Sequence, residues 1–593
     1  MARGRQLVRA ARVRGAIALV VMLGGCAGSG AGDDNTTNDA NNSGDANPGG
    51  CQIAFDPPDP VASPILPIRA YTNLTNLAGV LTFTWSVNNG AVMFTDQAAD
   101  GSQIGFLAPT AGIYTVRVQV SGPSSCDTTA NLTVSAPGAN ADVFRLRTVP
   151  APSLAPPQET FIQVKGGGDI SRAIALDAGI SVTGLVKNSA TNAGVTAYLK
   201  FMPRSMPTAY TELFSSSAGA YSLRLLPLDH DVLVVPAVAG LAPKLVPWTA
   251  VPTTQELVVG PGTLVSGIVR NPNGVGFSGV KVQLYAGGVP STLATTAVDG
   301  SFSVRTDFPA NATQITVKVT PPAASGLPRL EATSAFNLAS ALNIGYGVGL
   351  TSCDLATVPV RRGGTNQPNA QVTIVGSLGV AGTINGVNAT STVRVSATAD
   401  GTGRLPTMVV PRGALSAVTE LAMTDHAVSA VDTSACSVAS IDAPAMTTIS
   451  GTTRDAATTV LAGVRAEAEP IGVLALAGVS PVQVTSSAAG AFSIALAGGG
   501  RYNVRFTDPQ ERAAPLVVNN VAPGGIPTNA LLVKALAISG QVSVLNSASP
   551  VVGASVQILC ATCNGLDVTR PIAETATDSV SRYRIAVPDP GTM

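Results

Sequence analysis

The side chains able to do chemistry are few and widely spaced. Cys560 and Cys563 form the one Cys-x-x-Cys of the chain. A redox dithiol of that spacing needs a helix N-terminus to lower its thiol pKa. Here a strand pattern (Val556, Ile558) precedes it and Asn564-Gly565, a turn, follows. A zinc ribbon needs a second such pair, which the sequence lacks, so a local structural disulfide is expected. His230 and His426, the only histidines, stand in no metal-ligand spacing such as HExxH. His230, in LPLDHDV, is expected as a solvated turn residue. Glu467 and Glu469 flank Ala468 on a strand and share one face, but no second acidic pair supports catalysis, so a wet face is expected. Asp100-Gly101 and Asp299-Gly300 read as hairpin turns, because calcium needs about six to eight oxygens and no DxDxD run supplies them. No G-x-S-x-G elbow, Walker loop or dinucleotide fingerprint occurs. These residues point away from an enzyme and imply no metal and no cofactor.

The other cysteines fit an exported setting. Of seven, Cys26 stands apart, leaving six, an even number. Cys51 and Cys126 bracket the first expected module, and Cys353 and Cys436 lie at the ends of a later one. The expected pairing is Cys51 with Cys126, Cys353 with Cys436, and Cys560 with Cys563, one of about fifteen connectivities open to six cysteines.

The first residues read as an address. Arg3, Arg5, Arg9, Arg12 and Arg14 precede an apolar core, Ala16 to Leu23, too short to span a bilayer. This is the pattern of a secretory signal over 1–25. The core runs into Leu23-Gly24-Gly25-Cys26, which resembles the bacterial lipobox. The resemblance implies cleavage before Cys26 and its diacylation, and two acyl chains suffice for stable anchoring. Ala27 stands where an Asp would favour inner-membrane retention, so the outer membrane or cell surface is expected. Residues 26–50 hold almost nothing to bury and read as a disordered polar tether. As a flexible coil it reaches roughly 25 to 30 Å. No later apolar run approaches the ~18 residues of a membrane helix.

Composition sets the architecture of the rest. At 593 residues the chain exceeds a single core. Aromatics make up 4% and charged residues 12%, against 61 Gly and 42 Pro, a balance suited to short strands and tight turns around aliphatic cores. Without the five N-terminal arginines, 30 basic groups face 35 acidic ones, a net of −5. A mildly acidic chain without basic clusters argues against nucleic acid as a partner.

Period-two alternation bounded by turn residues dominates the sequence. It is plainest from Leu264 to Val304, where Val265, Gly267 and Val269, then Val280, Val282 and Leu284, then Phe302 and Val304 alternate. The phrase recurs around Gly184, Gly267, Gly451 and Gly540, at spacings of 83, 184 and 89. The doubled interval implies a copy near residue 360, where VPVRRGGTNQPNAQVTIVG fits without its glycine. Copies also end alike, in strands that run into proline-rich corners after Phe144, Asp231, Ile315 and Tyr502. Proline lacks the ladder N–H, so these corners are expected to protect an exposed sheet edge.

Two resemblances follow. TFTWSV, APTAGIYTVRV and ANLTV in 51–142 resemble PKD and related bacterial immunoglobulin-like domains, which implies a core tryptophan at Trp85 and a tyrosine corner at Tyr114. The phrase G-x-V, then A/G-x-V-x-L, then D/A-G-x-[FY] resembles the carboxypeptidase regulatory-like, transthyretin-like family over roughly 180–593, and implies tandem sandwiches with no chemistry of their own. The expected fold is all-β, immunoglobulin-like and transthyretin-like β-sandwiches in a row: 51–142, 143–262, 263–354, a divergent unit 355–446, 447–536, and a final unit 537–593. That last unit is left short of strands, so it is either incomplete or completed by a partner. Leu330 to Leu342 and Leu415 to Val431, rich in alanine and i,i+3 apolar spacing, are expected as short helices.

The expected function is therefore a non-enzymatic envelope lipoprotein, a surface scaffold for adhesion or binding. Its partners are the membrane, through the lipid, and an envelope protein or polysaccharide. Alternatives are a polysaccharide-binding surface protein and an accessory or regulatory partner of an exported enzyme.

Overall fold

The computed structural model describes residues 51–589 except 58–59, 61, 75–79, 99, 124, 136–140, 166–167, 250, 423–424, 525–529, 546–549 and 561–570. The signal, the tether and Cys26 lie outside the described residues. What is described is all-β, with sandwiches following one another along the chain. In the first, Cys51–Asp56, Ser63–Leu74, Gln103–Ala108 and Phe94–Gln97 face a sheet of Thr82–Val87, Gly112–Ser121 and Cys126–Val134. Alternate residues of the two sheets meet in one core, among them Trp85, Ile104, Phe106, Val116 and Val118.

The repeated phrase has a single geometric meaning. Its glycine strand is central, with an antiparallel strand on one side and a parallel strand on the other. Ile180–Asn188 lies between Ala220–Leu225 and Thr254–Val259, and Thr263–Arg270 lies between Ser301–Thr306 and Leu342–Tyr346. Directly across from each glycine stands an aromatic residue: Gly184 opposite Tyr221, Gly267 opposite Phe302, Gly451 opposite Phe492, Gly540 opposite Tyr583. At Gly184, Gly267 and Gly540 the parallel neighbour's backbone stands in the space a side chain would take, joined by the opposite ring at Gly184 and Gly267. A Cβ at Gly184 would stand 1.9 Å from the Gln255 carbonyl oxygen, and one at Gly267 would stand 2.5 Å from the Phe302 ring. Near residue 360 the glycine and the ring are both missing. There Val360 pairs in parallel with Ile441 and donates its N–H to the Gly403 carbonyl, as Val269 does with Ile344 and Gly300, so the glycine position falls two residues earlier, on Val358, whose carbonyl accepts from the Leu405 N–H.

The ends of the row meet. The strands Ala141–Val149 and Gln158–Lys165, which the repeat spacing assigns to the unit 143–262, pair instead with Ser555–Cys560 and Ala573–Ala576. Across the core, Ile170–Ser171 and Ile174–Leu176 run parallel to Ala535–Val544, which pairs with Arg582–Pro588. Phe144, Leu146, Ile162 and Val164 thus share one core with Ile538, Val542, Val556, Ile558 and Ile585. The Tyr583 hydroxyl donates to the Arg172 carbonyl at 2.8 Å, and the Ala537 N–H donates to Asp169 at 2.9 Å. The final unit is therefore neither incomplete nor completed by a partner. Residues 141–176 of the same chain supply its missing strands, and the second sandwich begins at Ile180.

The third and fourth units are fused. The hairpin of Val380–Ile384 and Val387–Thr398 pairs through its first strand with Leu342–Tyr346 and through its second with Arg329–Ser334. Ala381, Ile384 and Ala389 lie in the third core, while the far half of the same long strand pairs with Gln371–Gly376 of the fourth. This overturns one expectation about the proline corners. The strands after the corners at Asp231, Tyr502 and Phe144 are sheet edges, but Arg329–Ser334, after the corner at Ile315, continues into its neighbour.

Neither expected helix forms. Leu330 to Leu342 is occupied by the strand Arg329–Ser334 and the start of Leu342–Tyr346, and Leu415 to Val431 is the hairpin of Ala414–Ala422 with Asp425–Asp432. Both faces of that hairpin are covered. Leu415, Ala417 and Val431 enter the fourth core, and Val418 on the other face enters the fifth. Apolar residues on both faces erase the clean alternation and mimic helical spacing. The α-helix that does form among the described residues is one turn, Val473–Ala477, at the junction of the fourth and fifth units.

Units two onward make a closed circuit of contacts. Lys244 pairs with Asp307 at 3.5 Å between the second and third, and Arg394 donates to the Ala477 carbonyl between the fourth and fifth. Arg584 pairs with Glu511 at 2.7 Å between the fifth and the closing sandwich, and Thr208 donates to Glu159 at 2.5 Å between the second and the closing one.

Candidate functional site

Two of the expected disulfides are formed. Cys51–Cys126 joins the first strand of the first sandwich to its last, with Cα atoms 6.1 Å apart, and Cys353–Cys436 closes the fourth with Cα atoms 5.3 Å apart. Each closes a loop long enough, at 75 and 83 residues, for the chain-entropy account to assign about 4 kcal/mol. The Cys560 side chain and Cys563 lie outside the described residues.

The first sandwich uses its distinctive residues for structure. Trp85 is 7% exposed and donates its Nε1–H to the Gly101 carbonyl at 2.8 Å, so its ring serves the core and is not a sugar platform. The Tyr114 hydroxyl donates to the Thr110 carbonyl at 3.1 Å, the bond of a tyrosine corner. Asp100 and Asp299 hold turns. Asp100 accepts from the Ser102 N–H and hydroxyl, and Asp299 accepts likewise from Ser301. The Ser301 hydroxyl is the largest influence holding Asp299 below the usual carboxylate range.

His230 departs from expectation. It is 1% exposed, opens the strand His230–Pro236, and its Nδ1 lies 2.6 Å from the Leu228 carbonyl oxygen. Burial lowers its pKa, against the smaller opposing effects of that carbonyl and of Asp229 and Asp231. Glu467 and Glu469 do share the outer face of Arg465–Pro470, where Glu467 pairs with Arg465 at 3.4 Å.

Two features that residue types alone did not single out are the better candidates for binding. The first is on the outer face of the second sandwich, where Phe214 stands 72% exposed beside Tyr198, ring centroids 5.5 Å apart. The Tyr198 hydroxyl donates to Glu212 at 2.6 Å, and burial, followed by that carboxylate, pushes the phenol up to about 12. The second is a cleft of about 280 Å³ between the outer face of the fourth sandwich and residues 477–480 of the fifth. Gln371, Glu420 and His426 come from three adjacent strands and lie in one cross-strand row, and Thr373 and Ser396 pair in the next. The signal for the cleft was present as a run of polar residues on alternate positions, but which strands lay side by side was not.

No family model matches this chain, and no curated protein does. Similar solved structures include the Bacillus anthracis TIE protein, 13% identical over 69% of this chain and 75% of that one, TM-score 0.13. The Streptococcal ancillary pilin is 12% identical over 60% and 99%, TM-score 0.14. The N-terminal eight Ig domains of Down Syndrome Cell Adhesion Molecule isoform 1.30.30 are 9% identical over 91% and 80%, TM-score 0.15. Likenesses at this level carry no argument about what this chain does.

Proposed function

We propose that this chain is a non-enzymatic lipoprotein of the cell envelope, held by acylated Cys26, whose sandwiches form a scaffold for adhesion or binding. The observation that carries the reading is the closed circuit of sandwiches. Residues 141–176 and 535–588 share one core, so the four units between them are held at both ends. Such a body resists being pulled out and keeps its surfaces in fixed relation. The two disulfides suit an oxidising compartment, and the Leu-Gly-Gly-Cys sequence after the apolar core supplies the anchor. The envelope partner is a protein or a polysaccharide, and an accessory role beside an exported enzyme uses the same surfaces.

Metabolic labelling with a palmitate analogue tests the anchor. Label in the wild-type chain that disappears in Cys26→Ser, with release of the protein from the membrane fraction, is the expected result. Equal migration and fractionation of the two, with no label in either, would overturn the anchoring.

A further inference from the structure

The cleft at the junction of the fourth and fifth sandwiches holds polar groups that the fold does not use. His426 is 8% exposed, lines the cleft, and its Nδ1 has no hydrogen-bond partner among the described residues. A buried polar atom left so costs free energy. The strand register places Glu420 directly opposite His426 on one side and Gln371 on the other. Neither the Glu420 carboxylate nor the Gln371 amide makes a hydrogen bond or ion pair among the described residues. Thr373 and Ser396 share a hydroxyl bond of 2.9 Å in the next row, and Arg394 donates to the Ala477 carbonyl at 3.0 Å at the far side. Residues 477–480 close the cleft from the fifth unit.

This set of groups restricts the ligand. Glu420 opposes Arg394 in charge, so a neutral molecule suits the cleft better than an ion of either sign. One carboxylate and one imidazole fall short of a metal shell, and no group of three such ligands occurs among the described residues. A carboxylate only accepts hydrogen bonds, a guanidinium only donates, and an amide, an imidazole and a hydroxyl do both. A ligand meeting all of them carries several groups that donate and accept at once, within a few ångströms of one another. Hydroxyls on adjacent carbons have that property. Among the described residues no Phe, Tyr or Trp ring lines the cleft, so recognition runs through the hydroxyl edge of the ligand rather than the face of a sugar ring.

We propose that the cleft between the fourth and fifth sandwiches binds a neutral polyhydroxylated ligand, a single sugar unit of a glycan, through Glu420, Gln371 and His426. The site belongs to neither sandwich alone, so a bound sugar also bridges the junction. The proposal does not depend on acylation of Cys26, and failure of the anchor leaves it standing.

The test is saturation-transfer NMR and calorimetry on the full chain. The probes are glucose, galactose, mannose, N-acetylglucosamine and their disaccharides. At least one is expected to saturate at roughly millimolar concentration or below. Glu420→Ala and Gln371→Ala, both in side chains the fold leaves unpaired, are each expected to weaken it about tenfold. Val298→Ala, at an exposed position of the third unit, is expected to leave it unchanged. No binding by any probe, equal binding in the Glu420 and Gln371 variants, or loss with Val298→Ala instead would each overturn the assignment.

Discussion

The second sandwich and the closing one have the same strand arrangement and opposite relations to the chain. In the second, every strand comes from one stretch, 180–259, with Thr211–Phe214, Ala197–Pro203, His230–Pro236 and Lys244–Trp248 on one sheet. In the closing sandwich the equivalent sheet is Ala573–Ala576, Ser555–Cys560, Ala141–Val149 and Gln158–Lys165, from two segments nearly four hundred residues apart. A sandwich needs its strands adjacent in space and indifferent to their order in the chain. What differs is dependence: the second stands on its own sequence, and the closing one stands only when both 141–176 and 535–588 are present.

Breaking the closing sandwich gives the largest effect. Deletion of 535–593 strips Phe144, Leu146, Ile162 and Val164 of their partners. Limited proteolysis is then expected to cut within 141–176 while 180–532 stays protected. Equal protection of 141–176 in the truncated chain would refute the shared core.

Covalent closure sharpens the contrast. Replacing Cys353 and Cys436 together by serine is expected to cost the fourth sandwich about 4 kcal/mol, read as a lowered denaturant midpoint for that unit. The second sandwich, without cysteines, keeps its midpoint under reducing conditions.

The anchor glycines compare the two directly. A Cβ at Gly540 would stand 1.8 Å from the Arg172 carbonyl oxygen, which belongs to the other segment, and one at Gly184 would stand 1.9 Å from the Gln255 oxygen of its own unit. Each change to alanine is expected to cost about 1–3 kcal/mol by overpacking. In Gly540→Ala, hydrogen exchange should rise in 170–176, far away in sequence. In Gly184→Ala it should rise only within 180–259.

The smallest effect is a pH dependence confined to the second sandwich. Burial holds the His230 pKa below its unfolded value of about 6.5. The folded state therefore resists protonation, keeps full stability above that pH, and loses it as pH falls below. His230 pairs with Trp248 across strands, so Trp248 fluorescence during thermal unfolding, with Trp85→Phe as background, reports it. A slope that survives in His230→Gln would assign the effect elsewhere.

Much of this was legible. The alternation gave the strands, and the glycine and aromatic of the repeated phrase proved to be cross-strand partners, as at Gly184 and Tyr221. Even the closure left a trace. A repeat ending stands at Phe144 with no repeat beginning between it and the first sandwich. The helices read at Leu330 to Leu342 and Leu415 to Val431 failed because propensity is weak against pairing: strands of a hairpin buried on both faces carry apolar residues without a period of two. The binding cleft was illegible because Gln371 and Glu420 are neighbours only through strand pairing.

The sequence by itself determined that this protein is built of sandwiches, where each glycine strand lies and which cysteines sit at the ends of units. Those are local matters, decided by side-chain alternation and by the conformations glycine and proline allow. Tertiary structure alone decided which sheet edges stay free, that the third and fourth units share strands, and that Ala141–Val149 completes a sandwich begun at Ala535. Backbone edges of any sequence offer the same N–H and C=O groups. The choice among them is made by which apolar faces pack together once the whole chain is present.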